Sequence, residues 1–430
     1  MAITIMVISF AVFLLMGVPI AFVLGLVPAT TLLITGTVDP LYITQLAAQK
    51  MFTGIDSAIL MAVPFFIMAG NLMAAGGMTR RLLKFCNLLV GWLRGGLAYI
   101  NVAISMIFAG ITGAAVADTS AVGSILIPAM EEEGYDIDFA AAVTATSSTI
   151  GPIIPPSIPF IIYGSLSETS IAALFLAGMI PGLFLGVAMM GVVGYFSKKR
   201  NYPKGKTLKA SEVPGVVVEA GLVLMLPLII LGGILTGVFT PTESACIACF
   251  YALIIALFVY KDVTLKRLKE IIISTGATSS LVMLVVGMAN LFSWLLAIEE
   301  IPQLLTHLIM GFTENKFVVL ILINILLLVI GTFMETTACL IILTPVLLPI
   351  VTKFGVDPIH FGIIMVLNLV IGLTTPPVGV CLFIACSIAE TTLERVTRAI
   401  IPFLGASFVV LILCTYWEWI ILALPRLFNF

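Results

Sequence analysis

Apolar residues fall along this chain in long blocks, and polar residues gather in the short gaps between them. A helix needs roughly 20 apolar residues to cross the hydrocarbon core of a bilayer. Blocks at 56–76, 139–165, 170–196, 215–236, 240–260, 271–297, 359–384 and 399–424 meet that length. Three other runs exceed it. The run 3–36 is either one strongly tilted helix or two short ones broken at "GVP", 17–19. The runs 97–130 and 316–350 are interrupted by glycines and polar residues. The segment 79–96, "TRRLLKFCNLLVGWLRGG", alternates basic and apolar residues at helical spacing and reads as an arm lying flat in the interface. The stretch 39–55 is similar but less charged.

Inside one block sits "GPIIPPSIPF", 151–160, with four prolines and a glycine. Each interior proline costs a helix about 3 kcal/mol. In lipid, backbone groups freed by such a break need other partners, so irregular backbone at membrane depth survives only where protein buries it or where it lines a cavity.

Lysine and arginine set the sides. They cluster at Arg80, Arg81, Lys84 and Arg94, in "SKKRNYPKGKTLK", 197–209, in "KDVTLKRLK", 261–269, and at Arg395 and Arg398. The positive-inside rule makes these loops cytoplasmic. With Arg94 and Lys198 both inside, the run 97–130 must enter and leave on the inner face. By the same count 316–350 enters and leaves on the outer face. Each is a re-entrant hairpin.

The two regions repeat one another. Gly110/Gly331, Pro128/Pro349, Gly134/Gly355, Asp136/Asp357, Gly151/Gly372, Pro155/Pro376, Pro156/Pro377 and Pro181/Pro402 are all 221 residues apart. Glycine and proline punctuate the backbone, so what repeats is the path of the chain. A weaker echo pairs "AGNL", 69–72, with "MANL", 288–291. Copies entering from opposite faces are inverted-topology repeats, an arrangement typical of secondary transporters, whose sites lie at mid-depth on broken helices. "GPIIPPSIPF" and "GLTTPPVGV", 372–380, are the expected breaks.

Composition agrees with a polytopic membrane protein: 61% of residues are hydrophobic and 10% charged, leaving no polar surface for water. No basic domain supports nucleic-acid binding. The N-terminal run is too long for a signal peptide and reads as mature protein. Cys246 and Cys249 form the one C-x-x-C, without a second pair or a nearby histidine, so inert packing is the reading of all seven cysteines. Trp92, Trp294, Trp417 and Trp419 stand near span ends, as an aromatic belt does.

The polar stretches at the breaks are "AGITGAAVADTS", 109–120, and "TATSSTIGP", 144–152, in the first copy, and "IGTFMETTA", 330–338, and "LNLVIGLTTPP", 367–377, in the second. Hydroxyls and freed carbonyls suit a hard monovalent cation such as Na⁺, while half-helix N-termini suit an anion. A site for sodium and an anionic solute follows, against the alternative that these hydroxyls only bridge helices. The anion-facing positions at the breaks are Thr149, Pro155, Pro156, Ser157, Pro376 and Pro377. Asp118 and Glu335, the acids inside the hairpins, either back a cation shell or cap a helix start. Asn71 and Asn290 read chiefly as helix–helix contacts.

Enzyme signatures fail. "KGKT", 204–207, has Arg200 where a P-loop needs glycine, neither His307 nor His360 lies in an H-E-x-x-H, and no serine nucleophile elbow is present. "YD", 135–136, lacks the Gly-x-Gly-Asp partner of an intramembrane aspartyl protease.

"GITGAAVADTSAVGSILIPAM", "SSTIGPIIPPSIPFIIYG", "METTACLIILTPVLLPI" and "VIGLTTPPVGVCLF" resemble the large membrane subunit of tripartite ATP-independent periplasmic (TRAP) transporters, over essentially the whole chain. The resemblance implies an inner-membrane, sodium-driven importer of acidic solutes of the sialic acid or C4-dicarboxylate type. It implies two partners, a soluble periplasmic solute-binding protein and a small four-helix membrane subunit expected here as a separate chain. It implies an elevator-type fold akin to sodium/divalent-anion symporters, though without their Ser-Asn-Thr hairpin signatures. On it the sodium positions are Gly110, Thr112, Gly113 and Asp118 with Ser147 and Ser148, and Gly331, Glu335, Thr336 and Thr337 with Gly372, Thr374 and Thr375. Four regions are expected: helices and an arm at 1–96, a first transport repeat at 97–196 (hairpin 97–130, broken helix 139–165), a loop and helices at 197–297, and a second repeat at 298–430 (hairpin 316–350, broken helix 359–384, last helix 399–424). The rival functions are a free-standing anion symporter and a membrane scaffold or intramembrane enzyme.

Overall fold

The computed structural model describes residues 1–36, 38–205, 211–428 and 430, with the side chains of 41 and 109–112 also left undescribed. The end of the basic stretch 197–209, including Lys206 and Thr207 of "KGKT", therefore lies outside the described residues. Among them the chain is all-helical, and its one β-type contact is an isolated bridge between Arg94 and Lys204. Seven helices are each long and apolar enough to cross a bilayer, up to eight if one bent pair counts as a span.

The run 3–36 is two helices, Ala2–Leu15 and Ile20–Thr35. Gly17, at φ +75°, and Pro19, which starts the second helix from outside, make the break. A helix at Ala62–Ala75 follows, then a 73° bend at Gly76 and Gly77 into the arm, Met78–Val90. The bend lets the arm lie across the direction of the spans, as its alternating basic and apolar positions require.

The first hairpin is Gly96–Thr112 and Ala115–Glu132, and the second is Lys316–Phe333 and Thr336–Lys353. In the second, Lys316 Nζ donates to Gly355 O at 3.0 Å, so its two ends lie together on one face. The first broken helix is Ile137–Ser147, a short 3₁₀ turn to Ile150, and Ile158–Ser167. The second is Pro358–Gly372 and Val380–Ile388. Tyr163 OH, near the end of the first, donates to Pro358 O at the start of the second at 2.7 Å. The two broken helices therefore run in opposite directions, and the hairpins enter from opposite faces. Helix starts at Ala115 and Thr336, and at Ile137 and Pro358, keep the 221-residue offset read from the glycines and prolines.

The halves of the broken helices that precede the breaks form the centre of the core. Every residue from Phe139 to Ser147 and from His360 to Gly372 is buried. Polar side chains there need partners inside the protein. Asn101 donates to Thr144 Oγ1 at 2.6 Å, and Ser147 Oγ donates to Asn101 Oδ1 at 3.1 Å and meets Ser105 Oγ at 3.0 Å. In the second half Asn368 donates to Asn324 Oδ1 at 2.9 Å, and Asn324 to Thr415 Oγ1 at 3.0 Å. Each network ties the entering hairpin helix to its broken helix.

Two elements differ from expectation. The last helix, expected as 399–424, is Leu393–Tyr416 followed by a separate Glu418–Leu427. Trp417, at φ −109° and ψ 77°, leaves helical geometry between them. A further amphipathic helix, Ile301–Phe312, precedes the second hairpin as the arm precedes the first. The 34-residue helix Leu265–Ile298 contacts the helices Ile20–Thr35, Pro40–Ile55 and Ala62–Ala75.

Candidate functional site

Each hairpin turns against the break of its own repeat, and glycine makes the approach possible. Gly113, at φ +60°, closes the first turn; a Cβ there would lie 3.0 Å from Pro156 O and 3.2 Å from Ile158 N. In the second repeat a Cβ on Gly372 would meet three backbone atoms of Gly331 at 2.5–2.7 Å. Gly379 N donates to Thr332 O at 3.2 Å and fastens the same contact. Asp118 is fully buried, and its carboxylate occupies the space that a side chain on Gly151 would need. The first hairpin's acid thus stands directly against the first break.

The two hairpin turns face a common cavity of about 720 Å³. Gly113 to Ala117, Ser120 and Ala121 line it from the first hairpin, and Glu335 to Ala338 from the second. Pro152, Ile158, Pro159 and Leu373 come from the breaks. Asn71 and Thr278 stand on the opposite wall, from the helices at 62–75 and 265–298. A second hollow, of about 630 Å³, adjoins it, and Ala74 and Ala121 line both. Its walls carry Arg80, Arg81 and Lys84, so the neighbour of the cavity on this side is basic.

The hairpin helix starts differ. Glu335 caps the second: its carboxylate accepts from Thr337 N at 2.8 Å, Ala338 N at 3.2 Å and Thr337 Oγ1 at 3.0 Å. Among the described residues no side chain caps the first helix, which starts at Ala114 and carries the buried Asp118 in its first turn; the backbone of Ala115 to Ala117, at the positive end of the helix dipole, lies at the cavity wall. Thr336 lines the cavity too; it is 2% exposed and its hydroxyl has no hydrogen-bond partner among the described residues.

A family model for the tripartite ATP-independent periplasmic transporter, DctM component, matches residues 7–420. The chain belongs to the DctM family of TRAP transporters. It is 44% identical over 410 residues to the isethionate TRAP transporter permease protein DctMQ of Oleidesulfovibrio alaskensis, covering 95% of this chain but 64% of that longer protein. It is 40% identical to the sialic acid TRAP transporter large permease protein SiaM of Vibrio cholerae, over 96% of each chain. It is also 40% identical to the C4-dicarboxylate TRAP transporter large permease protein DctM of Pseudomonas aeruginosa, over 94% of this chain and 93% of that one. The crystal structure of the Alcanivorax borkumensis YdaH transporter shares the fold, with a TM-score of 0.61 at 15% identity over 96% of this chain and 98% of that one. This DctM chain is thus a multi-pass inner-membrane permease component of a tripartite transporter, not an enzyme.

Within this DctM chain, the residues read from sequence as sodium positions separate into two groups. Gly113, Glu335, Thr336 and Thr337 reach the cavity. Asp118, Ser147, Ser148, Gly331, Gly372 and Thr374 are buried behind it. Gly110 and Thr112 lie outside the described side chains. The hydroxyls of Ser148, Thr374 and Thr375 donate to carbonyls one turn back, at 2.8, 3.0 and 2.8 Å. A hydroxyl that has spent its hydrogen this way presents only lone pairs, which fits a cation. Thr149, Pro155, Pro156, Ser157, Pro376 and Pro377, read as anion-facing, do not line the cavity. Ser157 instead caps the second half of its broken helix, accepting from Phe160 N and donating to Pro152 O. Asn71 donates to Thr275 Oγ1 at 3.0 Å and Asn290 to Lys50 O at 2.7 Å, so both join helices. Asn101, Ser105, Asn324 and Asn368 were not singled out from sequence, although each is a polar residue within an apolar run.

Proposed function

We propose that this DctM chain is the sodium-coupled importing subunit for a small acidic organic solute. A periplasmic binding protein delivers the solute, and a separate small membrane subunit completes the assembly. The carrying observation is the 720 Å³ cavity with the uncapped first-hairpin helix on its wall. Its volume is that of a small-molecule site. Bare N–H groups and the helix dipole favour an anion there. Sodium as co-transported cargo is supported by the lone-pair oxygens and helix C-terminal ends behind both hairpins, at Ser147, Ser148, Thr374 and Thr375 with Asp118 beside them. The solute class is supported by relatives named for isethionate, sialic acid and C4-dicarboxylates.

The mechanism we propose is of the elevator type. The unit built from the two hairpins and broken helices carries solute and sodium against the wall formed by the helices at 20–35, 62–75 and 265–298. In this reading solute leaves the cavity past the adjoining hollow of Arg80 and Lys84 and is released into the cytoplasm.

Uptake into proteoliposomes tests the reading. With the small subunit and binding protein present, accumulation should require an inward Na⁺ gradient. Accumulation without Na⁺ would overturn the coupling, and accumulation by this chain alone would favour a free-standing symporter.

A further inference from the structure

The hollow beside the solute cavity has an unbalanced set of charges. Three cations of the arm line it, Arg80, Arg81 and Lys84, together with two acids, Glu219 and Asp262. Both acids are engaged by one cation. Arg81 Nη1 lies 2.6 Å from Asp262 Oδ2, its Nε lies 4.0 Å from Glu219, and its guanidinium stacks 3.7 Å from the Tyr260 ring centroid. Arg81 Nη1 also donates to Gly76 O at the bend. Arg81 is therefore a pin that holds the arm's start against the loop at 260–262.

Arg80 and Lys84 are different. They stand one helical turn apart on the same side of the arm, both exposed, with no acidic partner among the described residues. Ala121, Ser124 and Ile125 of the first hairpin's second helix line the same hollow. This is the helix whose uncapped start lies at the solute cavity. A hollow with low-dielectric walls focuses the field of two uncompensated cations and raises the local concentration of anions.

We infer that Arg80 and Lys84 form a low-affinity subsite for a soluble organic anion at the cytoplasmic mouth, the first stop for solute leaving the core cavity. This rests on the proposed direction of transport. The subsite takes the carboxylate or sulfonate head of the solute through the two cations, with Ser124 as a hydroxyl within the same wall. It is distinct from the core site, where among the described lining residues no basic side chain is present.

The charge of the hollow is measurable without knowing the solute. Ser124→Cys, in the full chain in phosphatidylcholine nanodiscs, is labelled with an anionic sulfonatoethyl and a cationic trimethylammonium methanethiosulfonate. The unsubstituted chain supplies the background of its own cysteines. Relative to a free small thiol, the anionic reagent should be favoured by about tenfold. The preference should vanish in the Arg80→Gln, Lys84→Gln double variant and reverse in Arg80→Glu, Lys84→Glu. It should shrink between 50 and 500 mM salt, as the Debye length falls from roughly 14 Å to 4 Å. No preference, or one that survives the double Gln variant, overturns the inference. Repeating the measurement in phosphatidylglycerol nanodiscs separates the two anion sources. A preference retained relative to the double Gln variant in the same nanodiscs supports a solute path, and its loss relative to that variant assigns the two cations to lipid headgroups and overturns the inference. The labelling reads the hollow whether or not the chain transports, so its failure and the failure of sodium-coupled uptake are separate results.

Discussion

At the scale of single residues, the site depends on atoms that are absent as much as on those present. Gly113 combines a positive φ with backbone neighbours at 3.0–3.2 Å that cannot move aside like a flexible side chain. Gly113→Ala should cost about 1–3 kcal/mol of stability from the strained conformation. By lifting the first hairpin turn off the break, it should also lower uptake at least tenfold or so. Thermal unfolding in detergent and proteoliposome uptake measure the two effects. Thr336 offers the opposite test. Its hydroxyl is buried without a partner, so Thr336→Val removes an unsatisfied group and should leave the melting temperature unchanged or higher. A hydroxyl that binds cargo should nevertheless be missed, raising KM for solute or for Na⁺ by roughly tenfold, the worth of one hydrogen bond. An unchanged KM for both would remove Thr336 from the site.

At the scale of elements, the glycine and proline pattern was legible because backbone breaks need those residues whatever surrounds them. Both broken helices follow from that punctuation, while at 17–19 it left one tilted helix and two short ones equally open, and the hairpins needed the lysines and arginines as well. Contacts between distant helices were not legible. Asn101 and Asn324 sit at different points of their hairpin helices and use different partners, so no offset links them. The amphipathic helix Ile301–Phe312 escaped notice because it carries no lysine or arginine to mark its polar side, unlike the arm. The core cavity depends on how hairpin turns far apart in sequence converge, which explains why the prolines of the breaks, prominent in sequence, stand behind its wall. Asn324→Leu should destabilise the second hairpin by about 1–3 kcal/mol, since Asn368 keeps only its bond to Ile364 O and Thr415 only its bond to Leu411 O, each losing the buried partner that Asn324 supplies. Hydrogen exchange at 316–333 and 358–372 would show the loss as faster opening of those helices first.

The start of the first broken helix carries a clasp of another kind. Asp136 accepts from Arg200 at 2.6 Å and from Tyr202 at 2.7 Å. Partial burial alone would raise the carboxyl's pKa, but the hydrogen bonds from Tyr202 and Arg200 outweigh it and hold it below the usual aspartate value. A depressed folded pKa stabilises the clasp at pH above the ordinary value of 3.8, and that support fades as pH falls through the folded pKa. Transport should therefore show no contribution from this carboxyl between pH 5 and 8. Asp136→Asn should speed hydrogen exchange at 197–205 at neutral pH, whereas the unsubstituted chain should show that change only once the pH falls below the ordinary aspartate value of 3.8. A rise in exchange at pH 6 without the substitution would contradict the assignment.

At the scale of the whole molecule, the inverted halves place one hairpin turn from each face at a single cavity, and the helices at 20–35, 62–75 and 265–298 close its other side. The sidedness expected from the sequence rests on the lysines and arginines, whose placement the bilayer biases to one side whatever the fold. The proposal that the cavity is the solute site predicts competition. In the assembled system a transported anion should slow labelling of Ala115→Cys by a thiol reagent, and should do so more strongly with Na⁺ present. Equal labelling with and without both ions would separate the cavity from transport. Ser407→Ala, at a hydroxyl that donates to Phe403 O in the last long helix away from the cavity, should leave uptake within about twofold and serves as the control.

The chain leaves the first repeat and enters it through the same stitch. Gly95 N donates to Pro203 O at 2.9 Å, Gly205 N to Leu93 O at 3.4 Å, and the bridge between Arg94 and Lys204 lies between them. The cords that lead into the first hairpin and away from the helix Ile171–Lys199 are thus knotted together rather than hanging as two separate leashes. Any sliding of the hairpin-bearing half must carry that knot along as one piece, and on the cord that comes from the arm the slack it needs has to be found farther out, at the glycine pair 76–77.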